Sequence, residues 1–306
     1  MKREYTNAGK DGFSGCFYEA AQKSDKCVII LMGDVGDDAM NKWGARYLNS
    51  CNCHALGLGK WQDKSKDNGV YEWPLEYIEQ AVKWLRKKGI AKIGVMGASM
   101  GANMGLAAAS YIPDMSLVVA LCPCDMVMEG YHESKQDGMG EWCSGNSTYT
   151  WRGKPLAFQP YYCTAREYWD TYKSSSKKHK EMRAIEIFRH SEAEKPAPEE
   201  CFIKVENIQG KILFFAAEDD SMWETAKYVR RMEKRLKEHS FTYPVESHIY
   251  QYGTHFIFPQ TMLTGAFPVG SSLLTKLFVS GRKHPGECRQ SRILVDEAVR
   301  KAIVEW

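Results

Sequence analysis

The chain has 306 residues, is 44% hydrophobic and carries a net charge of +3, which is enough apolar content for a large core and fits one α/β domain carrying an insertion, the favoured reading, or two small domains. Its basic residues are scattered rather than lined along one face, which excludes the electrostatic footprint of a nucleic-acid binder. The N-terminal MKREYTNAGKDGF lacks the apolar centre of a signal peptide and no apolar run is long enough to span a bilayer, so a soluble, cytoplasmic protein without a membrane partner is expected.

Residues 1–23 are polar and punctuated by glycine, and GFSGCFYEA suits an antiparallel edge hairpin. CVIILMG, Cys27 to Gly33, is a continuous apolar run of strand length, as expected of a parallel strand buried on both faces. Residues 37–50 read as a helix and CHALGLG as the next strand. In PLEYIEQAVKWLRKKG, Leu75, Ile78, Val82 and Leu85 share one helical face, with Pro74 fitting the first turn and Gly89 the end. There follow a strand at KIGVMG, a helix over 100–111, strands at SLVVALC and KILFFAA (211–217), a helix over 222–239, a strand at HIYQYG and a terminal helix near 291–304. Strands alternating with helices predict an α/β fold with a mostly parallel sheet covered on both faces.

The rhythm fails between about 124 and 210. That stretch is rich in aromatic residues, among them Tyr131, Trp142, Tyr149, Trp151, Tyr161, Tyr168 and Trp169, and its periodicity is weak. A structureless loop of that length is improbable in a compact domain, so a cap or lid over the C-terminal edge of the sheet is expected within a single domain. The aromatic side chains suit either an apolar pocket or the insertion's own core.

The ten cysteines are dispersed, and in a reducing compartment they read as free thiols. Cys51/Cys53 and Cys122/Cys124 are spaced C-x-C rather than C-x-x-C, so buried small apolar residues describe them better than zinc ligands. No metal and no cofactor are expected.

Chemistry concentrates at Gly97-Ala98-Ser99-Met100-Gly101, where β-forming residues give way to helix-forming ones. A sharp strand-to-helix turn puts a serine in strained dihedrals and leaves no room for side chains two positions to either side. It also sets Ser99 at a helix N-terminus, where free amides favour developing negative charge. A serine hydroxyl needs a base within hydrogen-bond reach and a carboxylate to orient that base. Glu218, Asp219 and Asp220 directly follow one strand and His255 directly follows the last, giving the chain order serine, acid, histidine. The bland alternatives are a tight-turn serine, capping acids and a loop histidine. An oxyanion hole would take the Met100 amide and one from the loop Met32-Gly33-Asp34-Val35-Gly36-Asp37, at Asp34 or Val35.

GVYEWPLEYIEQAVKWLRKKGIAKIGVMGASMGANMGLAAA, IKVENIQGKILFFAAEDDSMWETAKYVRRMEKRLKE and YQYGTHFIFP resemble, in that order, the hydrolase domain of the acyl-CoA thioesterase and bile acid-CoA:amino acid N-acyltransferase family. The resemblance covers roughly residues 25–120 and 200–260 and implies an α/β-hydrolase fold with the triad Ser99, Asp220 and His255. α/β-hydrolase practice favours Asp220 over Asp219, since the acid ends a small-x-x-acid turn. The N-terminal β-sandwich of the animal members is expected to be absent, because about two dozen residues precede the first long strand. Amino-acid-conjugating members use a cysteine nucleophile where this chain has Ser99, so transfer to water is the better expectation.

The function implied is a serine hydrolase acting on a small-molecule acyl thioester or carboxylic ester. Competing with it are a general carboxylesterase, a dienelactone-hydrolase-like enzyme and a non-catalytic binding protein on the same scaffold. The run Lys173-Ser174-Ser175-Ser176-Lys177-Lys178-His179-Lys180 offers cations for the phosphates of an acyl-CoA, against the simpler reading of a solvated helix end.

Overall fold

The apolar runs form strands whose alternate residues face opposite ways. In this computed structural model, which describes residues 1–32, 38–59, 69–133, 140–141, 143–266 and 274–306, the main sheet comprises β1 (Arg3–Thr6), β2 (Gly15–Tyr18), β3 (Lys26–Met32), β4 (His54–Leu58), β5 (Lys92–Ala98), β6 (Met115–Leu121), β7 (Lys211–Ala217) and β8 (Val245–Tyr250). Their order is β1-β2-β4-β3-β5-β6-β7-β8. The β1/β2 and β2/β4 pairs are antiparallel and the remaining pairs parallel.

Helices α1 (Asp38–Asn49), α2 (Glu76–Lys87), α3 (Met100–Tyr111), α4 (Ala165–His179), α5 (Ile185–Glu194), α6 (Thr225–Glu238), α7 (Gln260–Ala266) and α8 (Pro285–Glu305) cover the sheet and build the insertion. Ile29, Leu31, Val95, Val118 and Phe214 point to one core with Ile78 of α2, Leu106 of α3 and Val229 of α6. Val28, Ile30, Met96, Val119 and Phe215 point to the other with Leu48 of α1, Met262 of α7 and Val295 of α8. Both faces are therefore dry, which is why these strands read as unbroken apolar runs rather than as alternating ones.

Several boundaries differ from those expected. The last strand is Val245–Tyr250 rather than 248–253, so His255 sits on a loop five residues beyond it and not directly after it. The helix expected from 222 begins at Thr225, because the Asp220 carboxylate holds the Met222 and Trp223 amides in a turn. The terminal helix starts at Pro285, six residues before the expected 291; proline there presets φ and lacks only an amide that the first turn would leave unpaired.

The described residues between β6 and β7 carry secondary structure of their own. They hold α4, whose Thr164–Glu167 capping box fixes its start, then α5, and a strand at Tyr149–Trp151 that pairs with Lys154–Pro155 and with Trp73–Pro74. Tyr149, Tyr161 and Tyr168 are buried and join the core on the α2/α3/α6 face. Polar side chains tie the insertion down. Asn103 of α3 donates Nδ2 to the Cys124 and Met126 carbonyls at 3.2 and 2.6 Å. Arg231 of α6 binds both Asp125 oxygens at 2.6 and 2.7 Å and Glu192 of α5 at 2.9 Å. Burial lifts the Asp125 carboxyl to about 6 against the pull of Arg231, while Arg231 itself, though desolvated, is held further toward its charged form by Asp125 and Glu192. The two shifts point opposite ways for one pair, and the two-pronged contact decides for an ionised pair at neutral pH.

Candidate active site

β5 runs between β3 and β6 and ends at Ala98, and α3 begins at Met100. The reversal leaves Ser99 with φ 57° and ψ −125°, a conformation that L-residues adopt only under constraint. Its amide donates to the Leu121 carbonyl at 2.9 Å. A Cβ on Gly97 would lie 2.2 Å from the Gly101 oxygen, and one on Gly101 2.0 Å from the Leu31 oxygen. Both glycines thus have a steric reason of their own. Met100 occupies the first position of α3, so its N–H has no carbonyl four residues back within that helix. Asp34 and Val35, the other amides considered for an oxyanion hole, lie outside the described residues.

Ser99 Oγ lies 2.9 Å from His255 Nε2, and His255 Nδ1 lies 2.8 Å from Asp220 Oδ2. Asp220 is buried and its side chain is 1% exposed. Its other oxygen, Oδ1, accepts from the Met222 amide at 2.9 Å, so the carboxylate cannot swing away from the imidazole without losing the turn. A neutral His255 that donates from Nδ1 to this carboxylate presents an unprotonated Nε2 to the serine hydroxyl.

The three acids after β7 do different things. Glu218 pairs with Arg230 at the surface. Asp219 accepts from the Gly253 and Thr254 amides, both at 2.9 Å, and so anchors the histidine loop; burial raises its carboxyl above the ordinary range despite these bonds. Asp220 takes the imidazole.

Two further residues frame the site. Cys122, in left-handed backbone just after β6, donates its thiol to the His255 carbonyl at 2.8 Å. The Trp223 indole donates to the Cys122 carbonyl at 3.1 Å and sets its ring edge-on to the imidazole, with centroids 5.6 Å apart. In the sequence Cys122 carried only the signal of a small buried residue, and Trp223 only its place three residues after Asp220. Cys122, Asp220 and His255 bring potential metal-donor atoms within 4.8 Å of one another. Each is already committed, however: both imidazole nitrogens are hydrogen-bonded, and burial holds the thiol well above its ordinary pKa. Cys53 and Cys124 are buried and Cys51 half-buried. The run Lys173 to Lys180 forms the solvated end of α4, with its four lysines exposed.

Residues 73–264, which hold Ser99, Asp220 and His255, match the family described as BAAT / Acyl-CoA thioester hydrolase C terminal. The chain belongs to that family. The chain is 24% identical over 231 residues to the Mus musculus protein acyl-coenzyme A amino acid N-acyltransferase 1, covering 72% of this chain and 48% of that one. It therefore spans about half the length of that relative. Two solved structures share the fold at 12% identity. One is an alpha/beta hydrolase enzyme from a Medee basin deep-sea metagenome library, with a TM-score of 0.55 over 100% of this chain and 99% of that one. The other is a dienelactone hydrolase-like promiscuous phosphotriesterase from metagenomic libraries, with a TM-score of 0.52 over 99% and 98%. The α/β-hydrolase fold of this family member is thereby shown. No helix among the described residues is long and apolar enough to cross a membrane.

Proposed function

We propose that this protein is a serine hydrolase that cleaves an acyl thioester of the acyl-CoA kind, or a carboxylic ester, through an acyl-enzyme. One observation carries the proposal: the unbroken hydrogen-bonded line from Ser99 through His255 to Asp220, at 2.9 and 2.8 Å. Ser99 Oγ attacks the carbonyl as His255 Nε2 takes its proton, and Asp220 stabilises the imidazolium without accepting that proton. The Met100 amide, with that of Asp34 or Val35, receives the oxyanion. His255 returns the proton to the departing thiol or alcohol, and a water then repeats the sequence to release the acid.

Acceptor choice follows from the nucleophile. The Ser99 acyl-enzyme is an oxyester, which an amine attacks less readily than a thioester, so water rather than an amino acid receives the acyl group. The chain acts as one domain over 1–306, the insertion at about 124–210 serves as the cap that selects the acyl group, and the protein works in the cytoplasm on a small molecule.

Labelling with a fluorophosphonate probe tests the nucleophile: adduct on Ser99 in the wild type and none in Ser99→Ala is the expected result. An unlabelled wild type would overturn the hydrolase assignment. Turnover of acyl-CoA thioesters against p-nitrophenyl esters across chain lengths then decides between thioesterase and esterase. Adding amino acids to the thioester assay, with the products resolved by mass, tests the choice of water as acceptor.

A further inference from the structure

Cys143 and Cys163 are 20 positions apart in sequence, yet their sulfurs lie 3.4 Å from each other, and both residues are half-buried and so within reach of solvent. Their approach is built rather than incidental. The buried carboxylate of Glu129 accepts from the Gly145 amide at 2.5 Å and from the Tyr161 amide at 2.8 Å. Each of those amides is two residues from one of the cysteines, so one side chain clamps both segments and fixes the two sulfurs side by side. Backbone geometry assists, with Cys143 itself at φ 63° in front of Gly145 at φ 77°.

The two thiols are not equivalent. Cys163 immediately precedes Thr164, the N-cap of α4, where the free amides and dipole of a long helix favour a thiolate. The two sulfurs share one hydrogen bond in which either can be the donor, and that bond lowers the Cys163 thiol, with burial and the carboxylates of Glu167 and Glu129 acting the other way. Its place at the helix N-terminus makes Cys163 the better nucleophile of the two. The remaining cysteines are buried, apart from Cys51, which is hydrogen-bonded to Arg300.

We propose that Cys143 and Cys163 form a redox-active dithiol that closes reversibly to a disulfide within the insertion, with Cys163 attacking and Cys143 resolving. With glutathione disulfide as oxidant, the Cys163 thiolate attacks one sulfur, forms a mixed disulfide and expels one glutathione thiolate. Cys143 then attacks the Cys163 sulfur and expels the second. Two protein thiols lose two electrons, one glutathione disulfide gains them, and the two thiol protons end on the two glutathione molecules. The bridge ties the Tyr149–Trp151 strand into a closed loop next to Tyr161. The Tyr161 ring meets Phe188 at 5.8 Å, Phe188 meets Trp223 at 5.5 Å, and Trp223 meets His255 at 5.6 Å. The dithiol therefore stands at the far end of an edge-to-face aromatic row that reaches the candidate active site.

The test needs no substrate and is independent of the hydrolase assignment. The full chain is equilibrated over a series of glutathione/glutathione disulfide ratios, alkylated, and digested with trypsin, whose cut after Arg152 puts the two cysteines on separate peptides. On oxidation, alkylation at both positions should fall about tenfold or more as one cross-linked peptide appears, and dithiothreitol should reverse both changes. In Cys143→Ser the glutathione adduct should accumulate on Cys163. Equal alkylation of both cysteines even in glutathione disulfide alone, or separate adducts with no cross-link, would overturn the dithiol. An adduct confined to Cys143 in Cys163→Ser, with none on Cys163 in Cys143→Ser, would overturn the order of attack.

Discussion

A Cβ on Gly101 would lie 2.0 Å from the backbone oxygen of Leu31. Since β3 and the start of α3 are both backbone here, neither can yield as a flexible side chain would. Gly101→Ala is expected to destabilise the protein by about 3 kcal/mol or more and to slow probe labelling of Ser99 by displacing the turn. Urea unfolding measures the first effect and the labelling rate the second. A variant as stable as the wild type would mean that the turn does not need a bare Cα there.

Asp219 and Asp220 are adjacent and chemically alike, but their contacts separate them. Asp220→Asn keeps the volume and loses the negative charge beside the imidazole, so on the proposed mechanism turnover should fall about ten-thousandfold with the fold intact by circular dichroism. Asp219→Ala leaves two loop amides without their acceptor, so it should cost about 1–3 kcal/mol of stability and reduce turnover far less. Equal losses from the two variants would contradict their assigned roles.

Trp223 links the acid turn to Cys122, and through Cys122 to the histidine loop. Trp223→Phe removes the only N–H of that side chain and leaves the buried Cys122 carbonyl unmet, for an expected loss of about 1–3 kcal/mol. Thermal or urea denaturation of the purified variant decides this. An unchanged midpoint would show that another donor replaces the indole.

Burial places the Asp125 carboxyl at about 6, above its ordinary 3.8. Between about pH 4 and 6 the folded chain therefore keeps a proton that the unfolded chain has released. The stability linked to that proton is complete below pH 4 and is lost as the pH rises through 6. Unfolding midpoints measured across this window should fall relative to those of Asp125→Asn, which lacks the titration. Parallel pH profiles would remove Asp125 as the group responsible.

Much of the frame was legible in the sequence because it depends on short-range regularities. Unbroken apolar runs gave the parallel strands, the spacing of Leu75, Ile78, Val82 and Leu85 gave α2, and the glycine pattern around Ser99 gave a strand-to-helix turn. Ser99, the acids after β7 and His255 stood out because each follows a strand in a set order. The insertion was not legible at this level. Its helices pack against a core assembled from distant segments, and its Tyr149–Trp151 strand pairs with Trp73–Pro74, far away in sequence.

What the sequence determined by itself, then, was the α/β class and the small set of residues from which the proposed serine site could be assembled. Tertiary structure decided which of them meet and how. The choice of Asp220 over Asp219 rests on which carboxylate faces an imidazole 35 positions away, and the backbone carbonyl of that histidine is held by the Cys122 thiol, 133 positions before it. Such contacts leave no trace in local periodicity, because they are set by the docking of finished elements rather than by the chain's own repeat.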